Sequence, residues 1–230
     1  MNRRFAAFLL FGIGLAVFPA LGLGGEVVDR VVATVNGQII LQSDWEDALC
    51  YQAFVAGRAP QALTVEEQKA ALDHLIDQEL LREQIHSSDF HQATDEQVAK
   101  QVQEIRQRYP NAATTEGWQG VLAQYGFTDA SLHQHVTLEI DLMRLVDSRL
   151  RPNVNIDSKS IESYYEQELL PQLRQSGAQA VPLAQVTPQI RELLTQQKVN
   201  ELLVAWLHNL RTGSEIRTSA ESPDSGGDLR

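Results

Sequence analysis

The sequence predicts a mainly α protein: a multi-helix domain with a small β-hairpin near its N-terminus, joined by a strand near its C-terminus. Three observations carry that expectation. Apolar residues recur every three or four positions through most of the chain, which is the spacing of one helix face. A hydroxyl residue stands three positions before Glu or Gln at Ser43–Glu46, Thr64–Glu67 and Thr94–Gln97, the pattern of a capping box in which each side chain satisfies an orphan amide of the first turn. Val27 to Leu41 alternates instead, and Asn36-Gly37 in its middle suits both positive-φ sites of a type I′ turn.

Residues 1–24 have the layout of a secretory signal peptide. Arg3 and Arg4 precede an apolar stretch from Phe5 to Phe18 that is short for a membrane span, and Ala20, Gly22 and Gly24 supply small residues for cleavage after Gly22 or Gly24. An uncleaved N-terminal anchor is the competing reading of the same stretch. Processing implies an exported protein without stable membrane insertion.

The remaining elements follow in order. The box at Ser43–Glu46 opens a helix that ends near Gly57, and the box at Thr64–Glu67 opens one carrying Leu72, Leu75, Ile76, Leu80 and Ile85 to about His86. After Thr94–Gln97 come Val98, Val102, Ile105 and Tyr109, until Pro110 ends the turn and a polar loop runs over 111–115. Trp118, Val121, Leu122 and Tyr125 mark a short helix closed by Gly126, after which Thr128 or Asp129 caps a helix reaching Leu150 before Arg151-Pro152. Asp157 caps the helix of Ile161, Tyr164, Tyr165 and Leu169. Small residues over 176–181 form a connector, and a long helix from Pro182 to Leu210 leads to Gly213 and a final strand at Ile216. The domain therefore spans 25–175 and 182–217, with a polar, disordered tail at 218–230.

Composition limits the function. The 230 residues include 43% hydrophobic ones, enough for a real core, and a formal net charge of -11 disfavours nucleic acid as a partner. Cys50 is the one cysteine, so there is neither a disulfide framework nor a cysteine-based zinc site; it reads as a small core residue rather than a redox thiol. The histidines His74, His86, His91, His133, His135 and His208 lack metal-ligand spacing, and no nucleotide-binding or hydrolase fingerprint occurs. No catalytic, metal or cofactor site is expected. What remains is aromatic surface. Trp45, Phe54, Tyr109, Trp118, Tyr125, Phe127, Tyr164 and Tyr165 recur on helix after helix, and such residues either fill a core or line a groove for extended apolar peptide. They are the candidate client-binding residues.

The order of segments resembles the SurA family of periplasmic chaperones. Val28 through Asp44 is similar to the start of the family's mature chains, and Leu75-Ile76-Asp77-Gln78-Glu79-Leu80-Leu81 to its second-helix motif. Trp118 to Leu122, Tyr125-Gly126-Phe127-Thr128 and Arg149 to Val154 resemble later helices and the exit strand, and Ile161-Glu162-Ser163-Tyr164-Tyr165 the point where relatives hand over to a parvulin-type prolyl isomerase domain. The match resumes at Pro182 to Val186, Ile190 to Leu194 and Trp206 to Arg211. Only the 176–181 connector stands where relatives carry the isomerase, so the family's catalytic residues have no positions here. The resemblance implies a SurA-like chaperone domain lacking that enzyme: an ATP-independent holdase for unfolded outer-membrane proteins, needing no cofactor. A prolyl isomerase by descent and an envelope subunit holding one fixed partner are the alternatives.

Overall fold

The structure, a computed structural model, describes residues 29–59, 63–85 and 92–219. The signal peptide expected over 1–24 lies outside these residues, as do His86, His91 and the expected tail beyond Ser219.

Strands β1 (Val31–Val35) and β2 (Gln38–Leu41) pair antiparallel with Val35 opposite Gln38. The two residues between them have φ of 49° at Asn36 and 88° at Gly37, as a type I′ turn demands. A register shift between Val31 and Ala33 makes Val32 an extra residue on β1. That bulge lets consecutive residues, Val32 and Ala33, both be buried, which regular alternation forbids. Strand β3 (Ile216–Thr218) pairs antiparallel with the other edge of β1, giving the order β2-β1-β3. The expected closure of the N-terminal hairpin by a C-terminal strand is present, and β3 takes Thr218, the first residue assigned to the tail.

Helix α1 (Gln42–Val55) leaves β2 without a linker. This displaces the predicted Ser43–Glu46 box. Because the strand runs straight into the helix, the N-cap falls at Leu41, whose amide donates to Asp44 Oδ2 at 2.8 Å. Asp29, brought alongside by the bond from Gln42 N to Arg30 O at 2.7 Å, takes the Ser43 amide at 3.3 Å and the Ser43 hydroxyl. The cap is thus shared between local Asp44 and a carboxylate distant in sequence, in place of the expected local pair.

The other boxes are local. Thr64 N donates to Glu67 Oε2 at 2.8 Å and Glu67 N to Thr64 Oγ1 at 3.2 Å, opening α2 (Val65–Ile85). Thr94 N donates to Gln97 Oε1 at 3.1 Å, opening α3 (Asp95–Arg106). The polar loop expected over 111–115 is a 3₁₀ turn at Pro110–Ala113 with Ala112 buried, followed by α4 (Thr115–Gln124). The turn passes so close to α4 that a Cβ on Gly117 would lie 1.9 Å from Asn111 O. Thr128, not Asp129, caps α5 (Asp129–Leu150), with its Oγ1 accepting from Ser131 N at 3.1 Å. Asp157 accepts from Ser160 N at 2.7 Å to cap α6 (Ser158–Tyr164).

Between α6 and α7 (Leu170–Gln175) the helix widens into a π turn at Tyr165–Leu169. Pro171 follows at once; with no amide to give the preceding turn and a ring that crowds the carbonyl four residues back, it favours the wider spacing. Helix α8 (Leu183–Thr212) then runs back to the sheet.

Three apolar clusters result. Phe54, Leu122, Leu132 and Val136 centre one among α1, α3, α4 and the start of α5. A second joins Val32, Val35 and Ile40 of the sheet to Leu72, Ile76 and Leu80 of α2. The third sets Leu81, Leu142 and Leu145 against Leu203, Trp206 and Leu207 of α8. Polar ties fasten the same helix: Arg211 Nε to Asp77 Oδ1 at 2.6 Å, Arg151 to Glu192 at 2.9 Å, and the Arg149 guanidinium 4.7 Å from the Trp206 ring centroid. Asn36 completes them, donating from Nδ2 to Glu83 at 2.8 and 3.1 Å and to Ser214 Oγ at 3.2 Å, while Oδ1 accepts from Glu215 N at 2.9 Å.

Two expectations follow. Truncation after Ser176 removes β3 and buried Ile190 and Val199 of α8. Urea titration of the truncated chain is expected to show a loss of several kcal/mol, as multiple core deletions do; an unchanged midpoint would mean that α8 is an appendage. The Arg58 hydrogen bond and then the Thr64 amide hold the Glu67 carboxyl down at about 2, below its ordinary 4.5, so its contribution is complete above roughly pH 4.5 and lost as pH falls toward about 2. Melting temperatures of wild type and Glu67→Gln should accordingly differ at neutral pH and converge in acid.

Candidate functional site

The predicted aromatic residues divide into two groups. Phe54 lies at the centre of a ring cluster, with centroids 5.3 Å from Tyr109, 5.3 Å from Tyr125, 5.6 Å from Phe127 and 6.0 Å from Trp118. Helix α1 supplies Phe54, the end of α3 leads to Tyr109, and α4 with its C-terminal turn supplies the others. Phe54, Trp118, Tyr125 and Phe127 are buried and Tyr109 is half-buried.

Their polar atoms are satisfied internally. Trp118 Nε1 donates to Asp129 at 3.1 Å, Tyr125 hydroxyl to Arg58 O at 3.0 Å, and Tyr109 hydroxyl to Phe54 O. Burial, and then the neighbouring Tyr125, pushes the Tyr109 phenol well above its ordinary range, so it stays neutral and a donor. In this conformation the cluster is core, and its four buried members offer no face to a ligand.

Trp45, Tyr164 and Tyr165 lie elsewhere, each half-buried. Trp45 packs under the sheet and donates from Nε1 to Gln68 O at 2.9 Å. Tyr165 hydroxyl donates to Val181 O at 2.7 Å, which pins the end of the connector to the π turn. Tyr164 lines an open groove of about 430 Å³ with Lys159, Ser163, Gln167 and Leu194, where α6 and the π turn meet α8. A second groove of about 390 Å³ lies between α2 and α8, lined by Asp73, Asp77, Val204, Leu207, His208 and Arg211.

Sequence reasoning missed the apolar outer side of α8. Val204, at 69% exposure, stands at the second groove, and Leu193, at 40%, adjoins Leu194 of the first. The signal was available: apolar residues at 193, 194, 199, 202, 203, 204, 206 and 207 exceed what one helix stripe can bury.

Two of the remaining residues singled out for chemistry have structural contacts. His135 Nε2 lies 2.7 Å from Asp47 and its ring stacks on Tyr51 at 4.7 Å, joining α1 to α5. Half-buried Cys50 packs against the ring cluster; burial, then Asp47 and Glu46, raises its thiol away from reactivity. Among the described residues no three His, Cys, Asp or Glu are arranged to hold a metal ion, and no helix is long and apolar enough to cross a membrane.

Truncation separates the two aromatic groups. Phe54→Ala is expected to cost about 3–5 kcal/mol in urea denaturation, the usual loss for a fully buried ring, whereas Tyr164→Ala should cost under about 1.5 kcal/mol because its groove is open. Equal losses would show that the groove wall is as much core as the cluster.

Residues 1–146 match the family of SurA-like N-terminal domains. Chaperone SurA of Chromohalobacter salexigens is 23% identical over 241 residues, an alignment that covers 100% of this chain and 54% of that protein. The chain thus spans about half the length of the curated relative it matches. The hairpin, the capped helices through α5 and the match over that stretch agree, and the chain belongs to the SurA-like N-terminal domain family.

Proposed function

We propose that the protein is a periplasmic, ATP-independent holdase that binds unfolded outer-membrane proteins without isomerising their prolines. The observation that carries this reading is the way the helical parts before and after the connector form one folded body: β3 extends the sheet begun by β1, and α8 packs on α2, α5 and α6 across a link at 176–181. A parvulin domain needs several strands, helices and a core of its own, and a link of this length encodes none. The location rests on the expected signal peptide and on the resemblance to a family of periplasmic chaperones.

The aromatic side chains that keep exposed surface, Trp45, Tyr109, Tyr164 and Tyr165, remain candidates for contacting clients. The uncovered apolar residues of α8 join them. Grooves of mixed lining suit a holdase, because extended chains of many sequences share a backbone and an alternation of apolar side chains but no single shape. The acidic surface keeps the loaded chaperone soluble.

Light scattering of a denatured barrel protein, diluted with and without this protein, tests the reading. Aggregation should be suppressed without ATP and at high as well as low salt, since apolar burial is little affected when the Debye length falls to roughly 3 Å at 1 M salt. A proline-peptide assay should show no acceleration. Absence of suppression at any salt would remove the holdase reading in favour of one fixed envelope partner, and measurable isomerisation would restore the enzyme.

A further inference from the structure

We propose that Asn36 is a deamidation site, and that its reaction converts the clasp between the hairpin, α2 and β3 into a one-way latch. The chain has asparagine at 2, 36, 111, 153, 155, 200 and 209, and of these Asn36 alone is followed by glycine. The residue after an asparagine governs the chemistry, because its backbone nitrogen is the nucleophile and a side chain there shields it. Asn36 is exposed at the tip of the hairpin, and an added Cβ at Gly37 would meet nothing within 4 Å, so the nucleophile is open to solvent and base.

The step balances without a co-reactant other than water. Base removes the proton from Gly37 N, which attacks Asn36 Cγ; the Cγ–Nδ2 bond breaks and ammonia leaves, closing a five-membered succinimide. Water then opens the ring at either carbonyl, giving aspartate or isoaspartate. No oxidation or reduction occurs.

The folded state gates this reaction. Nδ2, the leaving nitrogen, donates to both oxygens of Glu83 and to Ser214 Oγ, and Oδ1 holds Glu215 N. Asn36 N also donates to Glu215 O at 2.9 Å. Turning the amide so that Cγ faces Gly37 N requires these bonds to break, so ring closure proceeds from the opened clasp. Afterwards the clasp cannot re-form in full: the donor to Glu83 has become a carboxylate facing a carboxylate, which leaves only the bonds to Glu215, and in the isoaspartate product an extra backbone methylene spoils the two-residue turn. Each opening therefore carries a chance of permanently weakening the hold on the C-terminal strand, which keeps its backbone pairing to β1, and the modified fraction records how long and how often the domain has opened.

The test ages the full chain in mildly alkaline buffer at body temperature and follows intact mass, peptide maps and melting. The wild-type chain should gain about 1 Da, the exchange of an amide for an acid, mapped to Asn36 as a mixture of aspartate and isoaspartate. Glu83→Ala should convert several-fold faster, and Ser214→Ala, which loosens the same amide more gently, should do so if Glu83→Ala fails to fold. The converted fraction and the Asn36→Asp variant should both melt below the fresh protein. Conversion of other asparagines with Asn36 intact would overturn the proposal, as would equal rates in wild type and the loosened variant, or a converted fraction with an unchanged midpoint.

Discussion

Strand β1 is paired on both edges, and the rest of the structure depends on that. A two-stranded hairpin is marginal in water, since it buries one face and leaves two edges of unpaired backbone. Here β3 covers one edge of β1, and Asn36 reinforces the join by bonding the backbone of Glu215 and the side chains of Glu83 and Ser214. The sheet can then present Val32, Val35 and Ile40 to α2 as a fixed surface. With α2 placed, its other side forms the seam with α5 and α8, where Arg211 and Trp206 are held. The pairing is thus upstream of the helix packing.

The aromatic residues divide between the core and the partly exposed surface. Rings packed around Phe54 contribute area and favourable edge and stacked contacts, and the polar atoms of Tyr109, Trp118 and Tyr125 are bonded within the domain. A holdase surface has the opposite requirement: apolar atoms must be uncovered without being so continuous that copies of the protein aggregate. On α8 the uncovered apolar residues are interrupted. Exposed Leu193 and Val204 are separated along the helix by polar Gln196, Gln197, Lys198 and Asn200.

Most of the fold was legible because its determinants are local. Capping at Thr64, Thr94 and Asp157, the Asn36-Gly37 turn and the helix stop at Gly57 each depend on residues within a few positions, and each stands where the sequence indicates. The failures are at contacts that no spacing rule describes. The start of α1 is capped by Asp29, brought in by the hairpin, and no spacing rule links residue 29 to residue 43. The 3₁₀ turn at Pro110 is held by Arg106 Nε donating to Ala112 O at 2.6 Å and by its contact with α4, so polarity alone disguised it as a loop. The aromatic list was the least legible part. A helix-spaced Phe or Trp has the same pattern whether its outer side meets another helix or solvent, and only the assembled helices distinguish Phe54 from Tyr164.

The joining of β1 to β3 also sets a schedule. Strands at 31–35 and 216–218 are neighbours in space but lie near opposite ends of the described chain, so this contact closes a loop of nearly the whole domain. Chains emerge N-terminus first, and long loop closures are slow relative to local helix formation. The ring cluster, built from segments before α6, can assemble while synthesis continues, but the sheet is complete only once residues 216–218 have been made. Until then β1 has a bare edge and α2 an uncovered apolar side, so the growing protein passes through a period in which it is itself a partly folded chain with an exposed strand edge.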